Sequence, residues 1–475
     1  MITHHAILYL GSRLFAAATN LAAVAVFTRL AASDVYGDYL LLISWSFVIY
    51  GFFGQWLGAA FFAIYQQENA AAQIRTLARL LVGSLALAGA LIGALAVAGA
   101  VSWPAAAVVF LIVSSISLFM SVMEAERTRL DAPTVSVMLM LRSILMVSGG
   151  AGVLLVGGGA LGLTVSLAIA NIVGAVPGIV RLAPYLRGTL NRAAISRLVV
   201  YGWPLIIAFG ITAAGQNVDR LTIAHLGGAM ELGSYGATSD FIKQSFGVVS
   251  EAIVLAVISI AKDAAIRRDD TTARQTLEEA FRALTLTVAF GAVFMITFSG
   301  EIVQVIFGPE YRRTASALLP WLIGANAVLI FRAFYFGQAI YFGQSGRNEV
   351  IASVVTLGVS GALSLALIPQ FGIFGAAAAA TAGQLAACVV YVLGRPRMPL
   401  PLMSVMYMVS MAALVLGAEM LVDYMVAPGG PATIAAKLFV FAGSGVFLVW
   451  RFDILGLKQF ACELASRRFA AETAG

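Results

Sequence analysis

Apolar runs of about twenty residues, parted by charges or by Pro and Gly turns, recur about fourteen times along this chain. A helix needs about that length to cross a hydrocarbon core of roughly 30 Å, and in lipid its backbone must satisfy its own hydrogen bonds. The runs lie at roughly residues 5–27, 37–64, 77–100, 104–123, 134–156, 161–180, 199–226, 236–260, 280–298, 315–342, 350–368, 374–393, 402–425 and 433–450. With 61% hydrophobic and 11% charged residues, the chain reads as an all-α integral membrane protein. The first run is too long for a secretory signal and lacks a basic leader. Cys388 and Cys462 make neither a disulfide framework nor a metal site, and no cofactor is expected.

The balance of 29 Lys and Arg over 23 Asp and Glu would suggest nucleic acid only if location were ignored. Arg75, Arg79, Arg127, Arg129, Arg181, Arg187, Arg192 and Arg197 fall in alternate loops, as do Lys262, Arg267, Arg268, Arg274 and Arg282. Arg347, Arg395, Arg397, Arg451, Lys458, Arg467 and Arg468 continue on the same side, and the opposite loops hold Arg29, Arg312 and Arg313. The positive-inside rule therefore predicts that both termini are cytoplasmic, with no nucleic-acid partner. Trp103, Trp203, Trp321 and Trp450 fall near predicted span ends, where an indole buries its ring and keeps its N–H wet.

Six basic residues remain inside spans: Arg13, Arg142, Arg220, Lys243, Arg332 and Lys437. A charge at the bilayer centre costs about 3 kcal/mol, so each requires a partner, a hydrated cavity or an interface within reach. Lys437 and Glu419 lie about equally far from the turn at Pro428, which predicts a hairpin ion pair. Arg13, Arg142 and Arg332 have no such local partner and are expected to line a cavity. In "AAGQNVDRLTIAHLGG", Arg220 lies 10 positions before the turn at Met230 and Asp240 lies 10 after it. Antiparallel helices then put both at about 8 to 9 Å below the outer helix ends. Asp219 and Lys243, about one turn deeper, offer a second pair. Two readings stand for Arg220 and Asp240: a lock that opens during a transport cycle, or a permanent tie. Asp219, Asp240 and Glu251 are the carboxylates to titrate or bind a coupling cation, proton or sodium; the alternative is that they are fixed ion-pair partners.

The chain also repeats itself. Leu30, Gly37 and Tyr39 in "RLAASDVYGDY" recur 196 positions later as Leu226, Gly233 and Tyr235 in "HLGGAMELGSY". An even number of spans between the copies makes the repeats parallel, the plan of a two-lobed transporter around a central cavity. The expected division is a six-helix lobe over residues 1–190, a second over 191–397, and two further helices with a cytoplasmic tail over 398–475.

These stretches resemble the polysaccharide-transporter branch of the multidrug/oligosaccharidyl-lipid/polysaccharide exporter superfamily. "FTRLAASDVYGDYLLL" looks like that family's first hairpin, and "NVDRLTIAHLGGAMELGSYGA" is similar to its seventh-helix hairpin. "IFGPEYRRTASALLPWL", "FGQSGRNEV" and "LIPQFGIFGAAAAATAGQ" look like its later connections, so the resemblance covers roughly residues 8–393. The family has no fixed catalytic motif. The resemblance implies a non-enzymatic flippase of the bacterial cytoplasmic membrane. Its substrate would be a polyprenyl-diphosphate-linked oligosaccharide for O-antigen (lipopolysaccharide), capsule or exopolysaccharide, and polysaccharide assembly proteins would be its partners.

An anionic diphosphate must cross a medium that rejects it, and cations in a hydrated cavity would receive it. Arg13 and Arg142 lie in the cytoplasmic halves of their spans, where such a substrate would first dock. Arg332 lies deeper, and Tyr335 and Gln338, one and two turns on, offer stacking and hydrogen-bonding groups for sugar; ordinary packing is the alternative for the aromatics. No Gly-rich phosphate loop is present, so the energy would come from a gradient. Rival readings are a multidrug exporter or a peptidoglycan-precursor flippase of the same superfamily. From another class, a membrane polysaccharide polymerase or acyltransferase would need a sizeable external loop, and the longest outer one, residues 299–314, is short.

Overall fold

The computed structural model describes residues 2–187, 192–342, 346–395, 397–425 and 431–452. The turn at Pro428, Cys462, and the tail residues Lys458, Arg467 and Arg468 lie outside the described residues. Among the described residues sixteen α-helices follow in chain order: α1 Ile2–Leu30, α2 Ser33–Phe53, α3 Gln55–Ile64, α4 Ala70–Val97, α5 Trp103–Thr128, α6 Ala132–Leu155, α7 Gly159–Leu182 and α8 Arg192–Leu226. Then come α9 Ala229–Ile266, α10 Asp270–Thr297, α11 Ser299–Ile306, α12 Pro309–Ile330, α13 Gly346–Phe371, α14 Ile373–Leu393, α15 Leu402–Met425 and α16 Pro431–Phe452. No strand occurs among the described residues.

Among the described residues, thirteen helical segments are long and apolar enough to cross a membrane, with α2 and α3 counting as one. The 38-residue α9 is not among them; its first half carries Glu231, Ser234, Thr238, Ser239, Asp240, Lys243 and Gln244. The protein is thus a multi-pass, all-α membrane protein. Large apolar side chains such as Val82, Leu87, Met403 and Phe439 stand exposed, as a lipid-facing surface requires. Trp103, Trp203, Trp321 and Trp450 are also exposed.

Local chemistry sets several helix starts. Asp131 accepts the Thr134 N–H at 3.1 Å ahead of α6, and Asp269 accepts that of Thr272 at 3.1 Å ahead of α10. Hydrogen bonds from the Thr272 side chain and N–H hold the Asp269 carboxyl below the usual carboxylate range. Two features depart from the sequence reading. The second run breaks at Gly54, between α2 and α3, and the loop after α10 folds into the eight-residue α11.

The chain packs as two units. The first comprises residues 1–248, 304–325 and 350–387; the second comprises 249–303, 326–349 and 388–475. In the first, α6 packs against α7 and α1, α5 against α7, and α2 against α8. One of its cores runs through Trp56, Leu57, Phe61, Phe119, Met138 and Leu198. In the second, α15 lies between α10 and α16 around Phe290, Val293, Ala412, Val415 and Leu448.

The two copies of the repeat meet within the first unit. A Cβ on Gly37 would overlap the Ala229 carbonyl and sit 3.0 Å from Gly233 N; one on Gly233 would overlap the Ser33 carbonyl and sit 3.0 Å from Gly37 N. The first turns of α2 and α9 therefore cross backbone to backbone. Beside this crossing, Gly308 N–H donates to Thr28 Oγ1 at 3.2 Å, Tyr311 Oη to Ala31 O at 3.0 Å, and Ser33 N–H to Glu310 Oε1 at 3.2 Å.

Two basic residues on the arginine-poor side have a structural task here. Arg29 Nη1 donates to Ile306 O at 3.0 Å, and its Nη2 donates to Val305 O. Arg312 donates from Nε to Phe307 O and from Nη2 to Gln304 O, each at 3.1 Å. Both guanidinium groups satisfy carbonyls at the C-terminal end of α11.

Candidate functional site

Arg142 lies ten residues into α6, about 15 Å along the helix from its start. The close approach of α7 brings its partner. A Cβ on Gly174 would come 2.8 Å from Arg142 Cβ and 3.2 Å from its Cα, so only glycine lets the helices meet here. One turn earlier on the same face, Asn171 accepts from Arg142 Nε at 2.6 Å. The guanidinium lies over the Phe119 ring, 5.1 Å from its centroid, and Tyr39 of α2 is within electrostatic reach. Among the described residues no carboxylate pairs with Arg142, and Nη1 and Nη2 make no hydrogen bond.

A second cluster joins α8 and α9. Arg220 Nη2 donates to Asp240 Oδ1, with Arg220 buried and Asp240 one-third exposed. Asp219 turns to another partner: its Oδ2 accepts from Tyr235 Oη at 2.7 Å, and its Oδ1 accepts the Arg220 N–H at 2.9 Å. The expected Asp219–Lys243 pair is not formed, because Tyr235 and the backbone already occupy that carboxylate. Lys243 is half-buried and makes no hydrogen bond or ion pair among the described residues. Tyr36, Tyr39 and Tyr311 surround the cluster from α2 and α12, with Tyr36 and Tyr311 edge to face at 6.3 Å. Glu251, half-buried on α9, belongs to the second unit.

The second unit also holds Arg332, and there the structure corrects the expectation of no local partner. Arg332 Nη2 lies 3.4 Å from Glu349 Oε1, and Tyr391 Oη donates to Glu349 Oε2. Arg332 is 6% exposed and sits in a π-helical turn, Phe331–Tyr335, that follows α12. Tyr335 is fully buried: its ring lies 4.7 Å from that of Phe281 and 5.3 Å from that of Phe336, and its hydroxyl donates to Pro399 O. In this conformation it presents no face to a sugar, and packing accounts for it. Gln338 is half-buried and donates to Ala333 O at 3.4 Å. In the first unit, half-buried Arg13 has Glu124 of α5 within electrostatic reach. Glu419 and Lys437 are both buried, and the Thr297 hydroxyl donates to Glu419.

The residues that the sequence reading missed are Asn171, Tyr235, Glu124, Glu349 and Tyr391. A lone Asn in an apolar span was a usable signal, since it must find a polar partner there. Tyr235 and Glu349 lie 16 and 17 residues from the groups they meet, but spacing alone does not give the rotation that brings them there, and Glu124 and Tyr391 meet partners on helices remote in sequence.

Residues 42–316 match a protein-family model described as "Polysaccharide biosynthesis protein". No curated protein matches the chain. Among solved structures, the chain is similar to the lipid II flippase MurJ in an inward closed conformation. That match has a TM-score of 0.75 and 12% identity over 94% of this chain and 98% of the other. It is also similar to an inward-facing multidrug resistance MATE family transporter of the MOP superfamily, with a TM-score of 0.61 and 13% identity over 85% and 98% of the two chains. A MOP superfamily transporter from Pyrococcus furiosus matches with a TM-score of 0.53 and 14% identity over 87% and 96%. At these identities the likeness is one of fold.

Proposed function

Since this chain belongs to the polysaccharide biosynthesis protein family, a flippase family that shares the fold of the MOP-superfamily transporters, we propose that it moves a polyprenyl-diphosphate-linked oligosaccharide from the inner to the outer leaflet. The membrane is the bacterial cytoplasmic membrane, both termini are cytoplasmic, and the product serves a surface or secreted polysaccharide. The observation that carries this reading is Arg142: a guanidinium in the middle of an apolar helix whose two terminal nitrogens have no partner among the described residues. An uncompensated cation at that depth is costly unless an anion or water meets it, and a diphosphate is the anion such a substrate brings. Lys243, also unpaired among the described residues, adds a second cation in the same unit.

Transport proceeds by alternating access, driven by a gradient. Asp219, Asp240 and Glu251 are the carboxylates through which a proton or sodium would couple, and the Arg220–Asp240 pair closes the outer side. Deleting the protein should leave lipid-linked oligosaccharide on the inner leaflet and abolish one polysaccharide, with peptidoglycan intact. Normal polymer with lost drug resistance would sink this reading in favour of a drug exporter. Arrested peptidoglycan would point to its precursor as the substrate.

A further inference from the structure

Among the described residues, Arg142 is gripped at one edge only. Because a guanidinium can only donate, the Asn171 carboxamide must turn its oxygen to Arg142 Nε and its nitrogen away. That nitrogen donates to Ser115 Oγ at 3.2 Å, and Ser115 Oγ donates to Ile112 O at 3.0 Å. The hydrogen bonds thus run one way, from α6 through α7 into the backbone of α5, and each polarises the next. Asn171 is 1% exposed, so it meets no substrate itself. Phe119 covers one guanidinium face, and Gly174 fixes the helix spacing that lets Asn171 reach Nε.

We propose that Asn171 is a positioning residue: it holds Arg142 by Nε so that Nη1 and Nη2 face the substrate's diphosphate as a fixed two-pronged fork. The inference rests on the reading given under Proposed function. The chemistry explains why this side chain is an amide. A carboxylate there would hold Nε as well but would cancel the charge that the diphosphate needs. An apolar residue would leave Nε unsatisfied and the fork free to swing.

The test uses the full chain in nanodiscs, with undecaprenyl diphosphate and undecaprenyl phosphate as probes and thermal unfolding measured alongside. Wild type should prefer the diphosphate. Asn171→Asp should lose diphosphate affinity by on the order of tenfold and lose the preference, while its unfolding temperature stays level or rises, because a half-buried Arg has gained a counter-charge. Asn171→Ala should weaken binding in the wild-type background and have no further effect once Arg142→Ala is present. If wild type ignores both lipids, the substrate reading fails and takes this inference with it. If wild type and Arg142→Ala differ as expected but Asn171→Asp keeps full affinity and preference, the reading stands and the role of Asn171 is overturned. Binding and stability lost together in Asn171→Asp, or additive losses in the double variant, would make Asn171 a packing residue only.

Discussion

Gly37 and Gly233 lie backbone against backbone: a Cβ on Gly37 would overlap the Ala229 carbonyl, and one on Gly233 the Ser33 carbonyl. No side chain separates α2 from α9 at that point. On the proposed orientation this crossing lies on the outer side, within two residues of Tyr36 and Tyr235, which border the Arg220–Asp240 cluster.

Alanine at either glycine should therefore prevent the helices from closing. Gly37→Ala and Gly233→Ala are each expected to cost about 1–3 kcal/mol in the state seen here, the range for overpacking a tight contact. Cysteines placed at Ser33 and at Ala229 in these backgrounds should become more reactive toward a membrane-impermeant thiol reagent added outside. Unchanged reactivity with unchanged export would show that the crossing is not a gate.

The Arg220–Asp240 pair lends itself to a double-mutant cycle. Arg220→Ala or Asp240→Ala alone strands a poorly hydrated charge at about 3–5 kcal/mol, so both should impair export, and the double variant should be no worse than either. Cross-linked cysteines at the two positions distinguish a lock from a permanent tie. Transport should stop in the first case and continue in the second.

Arg142 and Arg332 should part company under mutation. Arg142 has no carboxylate partner among the described residues to strand, so Arg142→Ala should abolish export with abundance largely intact, and Lys should rescue partially by keeping charge without the fork. Arg332 is tied to Glu349, so Arg332→Ala should lower abundance. Glu349→Ala should lower it further, because it leaves the more deeply buried member of the pair alone. Immunoblots beside export assays would check this, and equal abundance for all three variants would contradict it.

Topology has its own test. Reporters active only outside the cytoplasm should light up after Gly158 or Ala229 and stay dark after Arg192 or Arg468. A bright fusion at Arg192 would overturn the proposed orientation.

What the sequence disclosed follows from how local each relationship is. The spans were legible because lipid forces a length and a composition on every one. The Arg220–Asp240 level was legible because a tight hairpin fixes register: 10 residues on either side of Met230 end at one depth. The same arithmetic placed Lys243 beside Asp219 in depth but was blind to rotation and to Tyr235, which claims that carboxylate from the neighbouring helix. Arg332 looked unpartnered because Glu349 lies beyond the end of its span, within reach only after the π-helical turn. Asn171 stands out as a lone amide in an apolar span, but which partner it finds depends on Gly174 bringing α7 against α6, which spacing alone does not specify.

The arginine grip on α11 bears on the order in which the protein can be assembled. Arg29 leaves the ribosome 276 residues before Val305, whose carbonyl it binds. The first unit draws on residues 1–248, then 304–325, then 350–387, so most of the chain must be made before its last piece arrives. Until then Arg29 and the Ser33 N–H have no α11 carbonyl and no Glu310 carboxylate to meet. Closing so long a loop costs entropy that early local packing cannot offset. Insertion of the first helices and completion of the first unit are thus separate events, and a chain truncated before residue 304 would insert without sealing the α1–α2 corner.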